Sequence, residues 1–355
     1  MECRINLEKS WFTQQEREIV CCGEFTASAF VYPTGIEAVR IRNARGEIIM
    51  LPYQGQQVWD AVFDGRSPRM GCMFDEPHPA DVIVDSYGAF AYHCGALGMG
   101  NPGPGDTHVL HGELPCAKYH SAALLVGEDV AGGYIGLTGV FHYKKGFGDY
   151  YDATPVVLLH AGKSVFDMSM RVENIGNYPM DLMYMAHVNF RIGDDARIVQ
   201  TVGWSTDEIL LRTSIPAHVK PTPEFLAFID KLKVDPKATE VIRKTDVYDP
   251  EIVFFLPKMK VGKDGLAHVL QIHMDGSSDV VSYDPRQLNK HARWILKNRN
   301  QNVIGILPAT AEPEGYTAEK KKGNVRSLGP GESAVFAVRV GTLSKAETVE
   351  AMKVF

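Results

Sequence analysis

In the run Val165-Phe166-Asp167-Met168-Ser169-Met170-Arg171-Val172-Glu173, apolar and polar side chains alternate from Phe166 onward. A period of two puts Phe166, Met168, Met170 and Val172 on one face of a strand and Asp167, Ser169, Arg171 and Glu173 on the other. A turn follows at Asn174-Ile175-Gly176-Asn177, with Pro179 just beyond it. The next run, Met180-Asp181-Leu182-Met183-Tyr184-Met185-Ala186-His187-Val188-Asn189-Phe190, is apolar on both faces. That is the pattern of a strand covered on both sides. Strand, turn and strand together predict an antiparallel hairpin.

The same reading extends outward. Strands are predicted at residues 37–42 and 47–51, joined by Asn43-Ala44-Arg45-Gly46, and at 133–138, 267–273, 303–307 and 333–340. Helical signals are few. Thr222-Pro223-Glu224 opens one helix, with Phe225, Phe228, Ile229 and Leu232 at helical spacing. Ser344-Lys345-Ala346-Glu347 reads as a capping box and predicts a C-terminal helix over 344–355. A third helix is expected over 285–297. Many strands and few short helices predict an all-β, mainly antiparallel sandwich or barrel. No repeat or linker divides it, so one domain is expected over 1–355. Residues 1–24 are expected as an N-terminal extension and 213–262 as a helical insertion.

The chain has 355 residues and a formal net charge of −6. A nucleic-acid partner is not expected, because duplex phosphates call for clustered Lys and Arg. The longest basic run is Lys320-Lys321-Lys322, with Glu319 before it. No window approaches the ~18 apolar residues of a spanning helix, and the N-terminus lacks a signal layout. Cys3, Cys21, Cys22, Cys72, Cys94 and Cys116 form no C-x-x-C pair. They are expected to be reduced, mostly buried thiols in a cytoplasmic protein. Gly98-Met99-Gly100-Asn101-Pro102-Gly103 matches a dinucleotide fingerprint in letters only. Pro102 and Pro104 stand where its helix would begin. Neither it nor Gly162-Lys163-Ser164 is taken as a phosphate site. His108 and His111 lack a third ligand, so no metal is expected.

Four neighbourhoods carry chemistry. Leu110-His111-Gly112-Glu113 follows the glycine- and proline-rich loop 98–105, which can present a side chain at the mouth of a β fold. His187 and Asn189 share a strand face with Met183 and Met185, and polar groups there need partners. Gly305-Ile306-Leu307-Pro308-Ala309-Thr310 runs into a loop holding Glu312 and Glu314. Arg293 and Trp294 together can stack on, and hydrogen-bond to, a sugar ring.

The order Leu110-His111-Gly112, His187-x-Asn189-Phe190, then Gly305-Ile306-x-Pro308-Ala309-Thr310 resembles the aldose 1-epimerase (galactose mutarotase) superfamily over roughly residues 25–342. It is closer to a less-characterised aldose-epimerase-like branch than to galactose mutarotase itself. The resemblance implies a β-supersandwich of the galactose mutarotase-like type, with a small-molecule sugar bound on a concave sheet and no cofactor. It implies His111 as a sugar-binding catalytic histidine and His187 as general acid. The family's general-base glutamate falls on Leu307, which cannot take a proton. Glu312 is expected to supply the carboxylate, with Glu319, Glu314 and Glu113 as fallbacks. Asn189, Glu113, Arg293 and Trp294 are expected as substrate-binding groups. Asp275 and Asp279 are the nearest candidates for the family's sugar-binding aspartate.

The chemistry is compatible with those residue types. Exchanging anomers removes the proton of the anomeric hydroxyl and protonates the ring oxygen; the ring opens, rotates and recloses. A base and an acid suffice, and positioned acid–base groups contribute roughly 10²–10⁴-fold. The expected function is therefore a carbohydrate-binding isomerase. Its alternative is a non-catalytic sugar-binding or sensing protein, which Leu307 favours. A glycoside hydrolase ranks lower, since no paired carboxylates stand out.

Overall fold

Two large antiparallel sheets, one of 11 strands and one of 12, lie face to face in the computed structural model, which describes residues 2–214 and 220–355. The alternating run forms the strand Val165–Asn174, with Phe166, Met168, Met170 and Val172 buried. Each such side chain contributes about 1.5–3 kcal/mol by leaving water. The doubly apolar run forms the strand Met180–Phe190, buried at every position but Asp181.

These two strands do not form the expected hairpin. Val165–Asn174 pairs with Tyr150–His160 and Ser333–Leu343 in the 11-stranded sheet. Met180–Phe190 pairs with Ala91–Ala96 and Asn302–Ala309 in the 12-stranded sheet. The turn crosses between sheets, and Asn174 ties it down. Its amide donates to Tyr178 O (2.8 Å) and Leu328 O (2.9 Å), and its Oδ1 accepts from Gly176 N (2.9 Å). The two burial patterns already differed because the two strands have different neighbours. One has a solvent face; the other lies mid-sheet between the sandwich core and a second apolar layer.

The helix expected over 285–297 is also absent. Lys290–Lys297 is a strand between Tyr248–Leu256 and Asn302–Ala309. Ala292, Trp294 and Leu296 face the outer apolar layer, while His291 and Arg293 are polar yet buried, so alternation is masked and Leu288, Ala292, Ile295 and Leu296 fall at helical spacing. The other expected strands and both remaining helices are present. Helix α1, Pro223–Val234, is capped by the Thr222 side chain. Helix α2, Tyr316–Lys322, was not foreseen, and α3, Lys345–Ala351, carries the Ser344–Glu347 capping box.

The stretch 213–262 holds α1 but also the strand Tyr248–Leu256, an integral member of the larger sheet. Within it, residues 215–219 lie outside the described residues. Residues before 25 add the strands Cys3–Asn6 and Arg17–Cys22, one at the edge of each sheet. All six cysteines are free. Only Cys94 and Cys116 are buried, while Cys3, Cys21 and Cys22 are exposed, contrary to expectation. The exposed three sit on edge strands, whose core contacts are made by Ile5 and Val20 instead. Among the described residues, no helix is long and apolar enough to cross a membrane.

The apolar residues form two layers. One fills the space between the sheets and includes Tyr184, Ala186, Val188 and Phe190. The other covers the outer face of the 12-stranded sheet and includes Met183, Met185, Trp294 and Leu307. The candidate site opens in this second layer.

Candidate functional site

Alternation along Met180–Phe190 sends His187 to the outer face, because Ala186 and Val188 belong to the inter-sheet core. Tyr92, its partner across the strand pair, stacks on the ring at 4.7 Å and 10°. On the other side, the register that pairs Met185 with Ala309 and Val188 with Ile306 sets Leu307 opposite His187. An aromatic ring and an aliphatic chain thus flank the imidazole, and only 1% of His187 is exposed. Burial, then the nearby His111, hold its pKa well below the usual histidine value; Asn189 pulls weakly the other way. Neither Asn189 Oδ1 nor His187 Nδ1 has a well-aligned hydrogen bond, and the Asn189 amide donates to Ala89 O (3.0 Å). At neutral pH His187 is uncharged.

His111 arrives from the opposite direction, on the loop after the strand Ala91–Ala96. Its backbone is left-handed (φ 63°), and its N–H and C=O are held by Gly100 O and Gly95 N. The following residue must be small. A Cβ at Gly112 would lie 2.2 Å from Gly98 O and 2.6 Å from Gly95 O. That close packing is the physical content of the Leu110-His111-Gly112 motif. The two imidazole centroids are 5.0 Å apart. Burial lowers the His111 pKa to about 3, with a smaller push from His108. Tyr87 joins them, its hydroxyl 3.2 Å from His187 Nε2.

Trp294 completes the wall. It lies in register with Gly305, and a Cβ there would sit 3.2 Å from Trp294 Cε3. The missing side chain leaves room for the indole between His187 (6.0 Å) and Tyr87 (5.7 Å). The indole Nε1 donates to Glu251 Oε2 (2.7 Å), and Arg212 donates to Glu251 Oε1 (2.7 Å). Tyr87, His111, His187, Trp294, Arg212 and Glu251 all line one cavity of about 850 Å³. That is within the ~300–1,000 Å³ typical of small-molecule sites.

The other expected site residues lie elsewhere. Glu312 does not line the cavity. It belongs to a group with Glu314 and Glu319 whose oxygens lie within 4.8 Å of one another. Lys322 sits among them, at 2.5 Å from Glu312, 2.5 Å from Glu314 and 2.8 Å from Glu319. Burial works against its charge, yet these three hydrogen bonds prevail and keep the Lys322 pKa raised. The lysine takes the place a metal would need. Glu312 is drawn away because α2 folds back and delivers an ammonium ten residues downstream.

Arg293 points the opposite way from Trp294, as adjacent strand residues must. It is fully buried, donates to Gln200 and lies 5.1 Å from the Trp204 ring. Burial draws its pKa down to about 10. Glu113 is spent on structure, accepting from Ala96 N, Leu97 N and Tyr151 Oη. Asn189 supports His187 from below rather than lining the cavity. Asp279 is buried among Arg66, Gln271 and His273, and Asp275 caps a turn at Ser277. Of the expected groups, His111, His187 and Trp294 are brought together. Tyr87, Arg212 and Glu251 were missed. Glu251 had one visible signal, a carboxylate directly before the apolar run Ile252-Val253-Phe254-Phe255-Leu256.

No family model matches the sequence, and no curated protein matches it at the sequence level. Solved structures do. A "putative aldose 1-epimerase" from Klebsiella pneumoniae superposes with a TM-score of 0.79 at 17% identity, covering 99% of this chain and 94% of that one. A galactose mutarotase-like protein from Clostridium acetobutylicum gives 0.59 at 12% identity, covering 90% and 98%. One from Lactobacillus casei gives 0.57 at 13%, covering 86% and 99%. Together with the paired antiparallel sheets, these likenesses show that the chain has the galactose mutarotase-like fold.

Proposed function

We propose that the protein binds a small sugar in the cavity beside Trp294 and interconverts its anomers. The observation that carries this reading is the convergence of His111 and His187, 5.0 Å apart, in one cavity with an aromatic wall and the carboxylate of Glu251. Glu251 takes the proton of the anomeric hydroxyl, in place of the Glu312 first expected from sequence. His187 delivers a proton to the ring oxygen as the ring opens, and both transfers reverse on reclosure. His111 and the Tyr87 hydroxyl hold neighbouring sugar oxygens, and the Trp294 indole carries the ring face. Because the His187 pKa is depressed, its proton-donating form is the minor one at pH 7. Activity should rise as pH falls from 7 toward 5, where more of that form is present.

A second reading is a sugar-binding protein without catalysis. Leu307 opposite His187, and imidazoles held neutral by burial, favour it. Two-dimensional exchange NMR on a panel of free hexoses and pentoses separates the two. Acceleration by the wild-type protein, cut at least about tenfold in His187→Asn, supports the isomerase. Saturable binding with no acceleration by wild type supports the binder.

A further inference from the structure

We infer that the sugar accepted by this site carries an apolar substituent, of aryl or short acyl class, away from its anomeric carbon. This rests on the sugar-binding reading above and adds to it the class of substrate. The cavity, at about 850 Å³, lies near the top of the ~300–1,000 Å³ range, the scale of drug-sized ligands rather than of one pyranose ring. Its polar lining is the histidine pair, the Tyr87 hydroxyl and the Arg212–Glu251 pair, with Asn101, Lys220, Thr222, Asp249, Asn298 and Gln301. Much of the remaining lining is hydrocarbon. Leu307 lies opposite His187, Leu296 follows Trp294 on the same strand face, and Val253 pairs with Trp294.

The loops facing this floor bring Phe74, Met73 and Val84. Met73 is 62% exposed and Val84 51%, so apolar surface stands wet around the opening. A sugar hydroxyl buried against such a wall loses its water and gains no partner, which costs affinity. An apolar group placed there is favoured by its own burial and by covering Met73 and Val84. The anomeric hydroxyl must stay free for Glu251 and His187, so the substituent belongs on another carbon.

The test uses the full-length protein and benzyl ethers of glucose and galactose, substituted at the terminal carbon or at each ring hydroxyl other than the anomeric one. Calorimetric titration gives affinity against the parent sugar, and exchange NMR gives anomer conversion. At least one ether should bind about tenfold or more tighter than its parent, and Phe74→Ala should shrink that ratio by about threefold. If the parents bind and exchange while no ether gains affinity, the inference is overturned and the sugar reading stands. If benzyl alcohol alone binds as tightly as the best ether, the inference is overturned too. If an ether gains affinity but its anomers do not exchange faster, the substrate class holds and the isomerase reading falls. If neither parents nor ethers bind, both fall.

Discussion

Two sets of carboxylates are held by the larger sheet and its flanking loops, and they are built in opposite ways. Glu312, Glu314 and Glu319 close around Lys322, which donates to all three. Glu251 sits in the cavity wall, where it accepts from the Trp294 indole and from Arg212. The first set is a structural knot tied by one ammonium. The second orients an aromatic platform and presents a carboxylate in the cavity that the histidine pair also lines. The contrast teaches that closeness in sequence to a strand end does not place an acid in a site. What matters is which cation the surrounding chain folds onto it.

The largest expected effect concerns the imidazoles that line the cavity with Glu251 and those that do not. His93, His111 and His291 have pKa values lowered to about 3 by burial, and burial also holds that of His187 well below the usual histidine value. The unfolded chain takes these protons near 6.5, the folded chain only well below that. Between those values the unfolded state binds more protons, so stability falls as pH drops below 6.5. Roughly 1–2 kcal/mol per histidine should be lost by pH 5, read by urea unfolding at several pH values. A saturating sugar should restore part of the loss in the wild type. Replacing His93 by Asn should leave that restoration in place.

The carboxylates themselves come next. Glu251→Gln should reduce anomer exchange by about 10²-fold or more, the lower end for a positioned base, whereas Glu312→Gln should stay within about twofold. Equal losses would erase the contrast drawn above. For Lys322→Met, a stability loss of about 2 kcal/mol is expected from three carboxylates left facing one another, with exchange retained. Thermal unfolding and exchange NMR on one sample check both halves. The smallest effect is a gain. Leu307→Glu places a carboxylate opposite His187, so the imidazole pKa should rise and exchange should increase about tenfold. Imidazole proton shifts followed against pH read the first and exchange NMR the second.

Much of this was legible in the residues. The period of two at Phe166–Val172 and the double-sided run at Met180–Phe190 give all-β character directly, because burial selects side chains face by face. Thr222 and Ser344 announce helices, since a cap is local chemistry. Which sheet a strand joins is not local. Asn174 sends the chain across the sandwich through hydrogen bonds to Tyr178 and Leu328, the latter more than 150 residues away. The segment 290–297 fails for a related reason. His291 and Arg293 are polar yet buried, so the strand shows no alternation of exposure in its residue types, and Ala292, Ile295 and Leu296 fall at helical spacing. In the site, His111 and His187 were found because their settings are short motifs. Glu251 was not, because its role depends on Arg212 and Trp294, distant in sequence. Glu312 misled because its true partner, Lys322, comes from a helix that the 316–322 sequence barely signals.

The most direct test is a crystal structure of the protein with a sugar that binds it in solution. The account predicts the sugar ring on the Trp294 face, with His111 or His187 and Glu251 each within hydrogen-bonding reach of its oxygens. A sugar bound away from this cavity, or one seated in it with its anomeric hydroxyl out of reach of Glu251, would contradict it.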